Sequence, residues 1–141
     1  AGIPCNDRFI DALALDLLQH PENYSVVVTT NMFGDILSDV AAYLVGGLGL
    51  VPSANIGDRY ALFEPVHGSA PDIAGKNIAN PIAAVRSASL LLDHLGDPQG
   101  ALRVESAIHQ VLGKGIRTRD LGGTAGTREF GDALLLALSG R

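Results

Sequence analysis

The chain has 141 residues, 47% of them apolar and 18% charged, which is the length of one domain and too hydrophobic for a disordered tail. A formal charge of −5, singly scattered Lys and Arg and the absence of Trp exclude the clustered positive footprint of a nucleic-acid surface. The longest apolar runs, such as Ala133 to Leu138, are far short of the ~20 residues of a bilayer span, and no basic segment precedes an apolar one at the N-terminus.

Membrane insertion and secretion are therefore not expected. Cys5 is the sole cysteine, and His20, His67, His94 and His109 stand at no zinc-motif spacing. A reducing, cytoplasmic setting fits best. The chain opens on Ala1 and its only methionine is Met32, so a processed, excised or truncated product is expected.

Phe9 to Leu18, FIDALALDLL, has helical periodicity and runs into His20-Pro21, a stop. Tyr24 to Thr30, YSVVVTT, is β-branched and continuously apolar at its centre, the pattern of a strand covered on both faces in a parallel sheet. Asn31 to Leu44 returns to helical spacing and ends at Gly46-Gly47-Leu48-Gly49. Ala61 to Val66 reads as a second strand, which Pro65 ends or confines to an edge.

His67 to Asn80, HGSAPDIAGKNIAN, is a long loop, and loops of this length inside compact domains are more often functional than idle. Asn80-Pro81 supplies a cap and a first-turn proline for a helix through Leu95, stopped by Gly96. Asp97-Pro98 repeats that start, and a helix with Ala101, Val104, Ala107, Ile108, Val111 and Leu112 inward runs to Gly115. After RTRDLGGTAGT, a last helix is expected from about Arg128 to Leu138. Two strands served by so many helices make an incomplete sheet, since typical sheets have about five strands. The missing strands are expected in an absent part of a longer chain or in a partner.

Asp35 and Asp39 are four apart on a helix, which places two like charges on one face. Such a pair is either a solvated acidic face near a helix N-terminus or a pair of hard oxygen ligands for Mg2+ or Mn2+. Its place directly after an apolar strand favours the metal, because α/β proteins set ligands at the carboxyl ends of parallel strands. Asp11 has Ala14, Leu15 and Leu18 at its helical neighbour positions, a face that should be buried. Taken alone, an exposed edge is the simpler reading of Asp11.

The glycines of VGGLGL follow a helix rather than opening one, so they read as a helix stop and not as a dinucleotide fingerprint. His67-Gly68-Ser69-Ala70-Pro71-Asp72 says more. Its small residues let backbone amides approach a ligand, while one imidazole and one carboxylate stand ready to orient an adenosine moiety. A tight glycine-rich turn with an Asx cap is the other reading of the same residues.

Asn31 to Gly57, NMFGDILSDVAAYLVGGLGLVPSANIG, and Phe63 to Pro81, FEPVHGSAPDIAGKNIANP, together resemble the signature and nucleotide loop of the isocitrate and 3-isopropylmalate dehydrogenase family, and the likeness continues through RTRDLGGTAGTREF. The resemblance implies an α/β, three-layer isopropylmalate dehydrogenase-like fold of which only the C-terminal part is present. Residues 1–44 would be the end of the substrate and dimerisation domain, and 45–141 the returning half of the nucleotide-binding domain. It implies a homodimer or larger assembly with shared active sites that oxidises and decarboxylates a small 2-hydroxy acid, using NAD and Mg2+ or Mn2+.

By the same resemblance Asp35 and Asp39 are metal ligands, and Asp11 matches the acid that reaches the metal of the neighbouring subunit. His67, Gly68, Ser69, Ala70, Asp72, Ile73 and Asn80 match positions that hold the adenosine half of the cofactor. Asp72-Ile73 is the pattern of NAD-using members, since a carboxylate there accepts from a ribose hydroxyl and repels a 2′-phosphate.

The family's acid/base Tyr and Lys, and the arginines that grip substrate, lie upstream, so no catalytic residue is expected in this segment and the isolated chain should be inactive. The choice among isopropylmalate, isocitrate, homoisocitrate and malate- or tartrate-like substrates is left open. The rival expectations are a non-catalytic, regulatory nucleotide- or metal-binding subunit and an assembly fragment of the same family.

Overall fold

Helix α1, Ile10–Gln19, forms where Ile10, Leu13 and Leu17 recur on one stripe, and it ends where His20 leaves helical geometry and Pro21 opens a single 3-10 turn, Pro21–Asn23. The computed structural model describes residues 2–140. By its contacts the chain divides into two units, Ala1–Val45 and Gly46–Arg141. In the first, α1 packs against α2, Asn31–Ala42, and the buried residues are Leu13, Leu37 and Ala42.

The expected strand Tyr24 to Thr30 is corrected by the structure. The segment has no ladder partner, and Val26 and Val28 are 80% and 90% exposed. A β-branched run is only half of a strand; the other half is a neighbouring backbone to receive its N–H and C=O groups, and the described residues offer none there. Tyr24 is instead held locally, its hydroxyl donating to the carboxylate of Asp16 on α1.

In the second unit the sheet is an antiparallel hairpin of β1, Pro52–Ile56, and β2, Ala61–Pro65, in the register Pro52↔Pro65 through Ile56↔Ala61. Strand β2 lies where the sequence predicts one and stops at Pro65, whereas β1 was not foreseen. Its composition, PSANI, carries little β-propensity and becomes a strand by pairing with β2. The pairing present is antiparallel, so the α/β class holds with an incomplete sheet that contains no parallel pair among the described residues.

Three helices complete this unit. Helix α3, Ile82–His94, packs on the hairpin; α4, Pro98–Gly113, packs on α3; and α5, Thr127–Leu138, packs on α4. The start signals act as the sequence predicts: the Asn80 Oδ1 accepts from the Ile82 N–H at 2.9 Å, and the Asp97 Oδ1 accepts from the Gly100 N–H at 2.9 Å. Ile82, Ala107, Ile108, Val111, Phe130 and Leu134 form the core between these helices, and the inward face expected for α4 is the face that is buried or half-buried. Phe130, fully buried at its centre, is the largest contributor; removing such a ring costs about 3–5 kcal/mol. No helix among the described residues is long and apolar enough to cross a membrane.

Candidate functional site

The loop from His67 to Asn80 forms one wall of a cavity of about 880 Å³, within the size range of small-molecule and cofactor sites. His67, Gly68, Ser69, Ala70, Ile73 and Asn80 line it together with Leu48, Gly49, Asn77, Arg119, Asp120, Thr127 and Arg128. Six of the seven residues expected to hold adenosine thus share one cavity. The seventh, Asp72, is exposed in the same turn and is not part of the lining.

Local chemistry explains the shape of the loop. The Ile73 N–H donates to the Ala70 carbonyl at 3.1 Å and the Lys76 N–H to the Ile73 carbonyl at 3.1 Å, which folds the segment into consecutive turns. Ala70 at φ +43° and Asn77 at φ +56° are the described non-glycine residues with left-handed backbones, and both belong to this loop. Such conformations cost free energy and concentrate at ligand-binding segments. The His67 Nδ1 lies 2.9 Å from the Gly68 carbonyl oxygen, which can only accept, so Nδ1 carries the proton and Nε2 of the neutral ring is an acceptor.

Arg119, Asp120, Thr127 and Arg128, which the sequence reading did not assign, complete the lining. Thr118, fully buried, donates through Oγ1 to the Asp120 Oδ1 at 2.6 Å, and the Asp120 Oδ2 accepts from the Asn80 Nδ2 at 2.8 Å. Gly49 closes this corner: a Cβ there would stand 3.0 Å from both the Asn80 Cβ and the Asp120 Oδ2. VGGLGL is therefore a helix stop that also lets backbone approach the site. Arg86 fixes the same turn from behind, its Nη1 donating to the Leu50 carbonyl at 3.1 Å and its Nε pairing with Glu105 at 3.2 Å. The RTRDLGGTAGT segment contained the only early hint of this part of the lining, as a polar loop between helices.

Of the acids of the first unit, Asp35 and Asp39 share one helix face as the spacing predicts, and Asp11 takes the exposed-edge alternative. Asp35 and Asp39 lie one turn apart on α2, both exposed, with no salt-bridge partner among the described residues. Asp11 is on α1 and exposed, not buried as its neighbours suggested. The inward stripe of α1 is centred on Leu13, and two residues of helix rotate Asp11 about 200° from it. The Asp11 Oδ1 instead accepts from the Ala12 N–H at 2.8 Å. No cluster of three His, Cys, Asp or Glu suited to a metal occurs among the described residues. Asp35 and Asp39 still offer hard oxygen donors from one helix face, the donor chemistry of Mg2+ or Mn2+, provided that further ligands come from substrate, water or another chain.

A glycine-rich loop over a cofactor-sized cavity, in an α/β unit that follows a helix bearing an acid pair, defines the segment structurally. A sequence profile of the isocitrate/isopropylmalate dehydrogenase family matches residues 1–134, and the chain belongs to that family. It is 60% identical over 132 residues to the isocitrate/homoisocitrate dehydrogenase of Thermus thermophilus, covering 94% of this chain and 40% of that protein. It is 57% identical over 124 residues to the 3-isopropylmalate dehydrogenase of Methanothermobacter thermautotrophicus, covering 88% of this chain and 38% of that one. The crystal structure of isocitrate dehydrogenase from Methylococcus capsulatus superposes with a TM-score of 0.86 at 47% identity, over 94% of this chain and 40% of that chain. The chain therefore spans about two fifths of the length of these relatives.

Proposed function

We propose that the chain is the C-terminal part of an NAD-dependent, metal-requiring dehydrogenase that oxidises and decarboxylates a 2-hydroxy acid such as 3-isopropylmalate, isocitrate or homoisocitrate. Residues 1–44 belong to its substrate and dimerisation domain, and 45–141 to its nucleotide-binding domain. The observation that carries this reading is the cavity: His67, Gly68, Ser69, Ala70, Ile73 and Asn80 line one space of nucleotide size.

In that space each residue has a definite task. The His67 Nε2 accepts from an exocyclic amine or the ring packs on a base, and the small residues Gly68 to Ala70 admit the ligand to the backbone. Asp72, at the rim, accepts from ribose hydroxyls and disfavours a 2′-phosphate. Asp35 and Asp39 supply two oxygens to Mg2+ or Mn2+, and Asp11 serves the site of a neighbouring subunit. When held by these residues, the metal would supply Lewis-acid stabilisation of negative charge on substrate oxygens, and NAD would supply the hydride acceptor. The proton-transfer residues lie outside this segment, so the chain alone should reduce no NAD with any of these acids.

Titration of the chain with NAD, followed by thermal unfolding, tests the reading. Ligand at ten times its dissociation constant adds about 1.4 kcal/mol and raises the midpoint by several degrees. No shift at millimolar NAD would overturn it and favour an assembly fragment.

A further inference from the structure

Helix α5 begins at Gly126, an N-cap residue without a side chain to satisfy the free N–H groups of its first turn. The Gly126 N–H is met by the Glu129 Oε2 at 3.4 Å, and the next two are met from outside the helix. The Thr127 N–H donates to the Asn77 carbonyl at 3.1 Å, and the Arg128 N–H donates to the Asn77 Oδ1 at 3.0 Å, across 51 residues of sequence. The Thr127 Oγ1 then donates to the Ala79 carbonyl at 2.6 Å. Arg128 is the second residue of the helix, the position whose N–H an N-cap side chain normally receives. The amide of Asn77 thus performs the capping that Gly126 cannot.

The space confirms the division of labour. A Cβ at Gly126 would stand 2.6 Å from the Asn77 Nδ2 and 3.0 Å from the Asn77 carbonyl oxygen, so the seat of an ordinary cap is taken. To reach it Asn77 holds φ at +56°, a conformation asparagine tolerates better than most residues. Asn77, Ile78, Ala79 and Asn80 of the loop and Thr127 and Arg128 of the helix end all belong to the cavity lining, where they touch directly. The three hydrogen bonds therefore tie the loop to the helix end within the lining of the site.

We propose that Asn77 is a positioning residue that caps α5 in place of Gly126 and so holds the nucleotide loop at its working distance from that helix, a role that rests on the nucleotide reading above. It touches no reacting atom. Its effect is to keep His67 to Asn80 ordered before the ligand arrives, which lowers the entropy lost on binding.

Four variants of the chain test this against a merely structural role. Asn77→Gly keeps the left-handed backbone and the carbonyl acceptor but removes Oδ1; Asn77→Asp keeps the side-chain acceptor; Gly126→Ser brings a hydroxyl cap to the occupied seat; and Asn77→Gly/Gly126→Ser lets the helix cap itself. The measurements are amide exchange at Arg128, trypsin cleavage after Lys76 and the dissociation constant for NAD. Losing one hydrogen bond of this kind changes an equilibrium by roughly fivefold. Asn77→Gly should accelerate exchange and cleavage and weaken NAD by about that factor, Asn77→Asp should stay close to the unsubstituted chain, and Gly126→Ser should loosen all three.

The double variant is decisive. It should restore Arg128 protection while cleavage stays fast and NAD stays weak, because the helix is capped and the loop is not held. Unchanged exchange at Arg128 in Asn77→Gly, or recovery of loop protection in the double variant, would overturn the proposal. If the unsubstituted chain binds no NAD, the nucleotide reading fails by itself, and exchange at Arg128 with cleavage after Lys76 still decides the clamp.

Discussion

Asn80 and Asp120 meet at one corner of the cavity, 40 residues apart in sequence, with the Asn80 Nδ2 donating to the Asp120 Oδ2 at 2.8 Å. The same Asn80 side chain accepts from the N–H of Ile82, a fully buried core residue that opens α3. One amide therefore joins the site to the core. Asn80→Ala should cost about 1–3 kcal/mol, because both partners lose a hydrogen bond and the Ile82 amide has little access to water. Asn80→Asp keeps the cap but sets carboxylate against carboxylate, so its smaller cost should grow as salt is lowered. Urea unfolding midpoints at two ionic strengths check this; an alanine variant as stable as the parent would refute it.

The helices were legible because their boundaries are written in local chemistry. Asp97-Pro98 opens α4, Pro21 closes α1, and Gly96 and Gly115 stop their helices at φ +86° and +81°. The loop His67 to Asn80 was legible for a different reason: its length and small residues have few structural uses. The Tyr24 to Thr30 strand failed because β-structure is a property of two segments, and periodicity reports on one. Strand β1 was missed for the converse reason, its conformation coming from β2 rather than from PSANI. Arg119, Asp120, Thr127 and Arg128 reach the cavity only through the packing of α3, α4 and α5, which no local pattern encodes.

Asp35 and Asp39 make opposite demands on stability and on binding. They are like charges one helical turn apart on an exposed face, which costs an isolated helix about 0.2–0.5 kcal/mol. Asp35→Asn or Asp39→Asn should therefore raise thermal stability slightly and weaken Mn2+ by about tenfold or more, since a neutral amide is a poorer ligand than a carboxylate. Calorimetry with Mn2+ beside thermal melts of the same samples separates the two effects. Unchanged Mn2+ affinity in both variants would leave the pair a solvated acidic face.

Asp72 is exposed beside the cavity proposed to take the nucleotide and is not in its lining. If NADP binds there, the Asp72 carboxylate would act on its 2′-phosphate through partly screened repulsion, worth about 1 kcal/mol for unit charges 4 Å apart in water. The chain should accordingly bind NAD roughly fivefold more tightly than NADP, and Asp72→Asn should narrow that gap chiefly by improving NADP. Paired titrations with the two dinucleotides measure it. Equal affinity in the unsubstituted chain would remove Asp72 from any part in cofactor choice.

Tyr24 gives the first unit an alkaline weakness. Its hydroxyl donates to the Asp16 carboxylate, and that hydrogen bond, then desolvation and the nearby negative charge, raise its pKa above the usual 10.0 while Arg8 pulls the other way. A phenol whose folded pKa exceeds its unfolded one loses no stability while both states keep the proton, below about pH 10. As pH rises from there through the folded value, the unfolded chain releases its proton first and the contribution of the bond disappears. Tyr24→Phe lacks the bond at every pH, so the parent should be the more stable of the two at neutral pH and the difference should shrink above about pH 10. Thermal midpoints of both chains from pH 7 to 11 check the sign; a difference that widens with pH would mean that the Asp16 bond does not govern Tyr24.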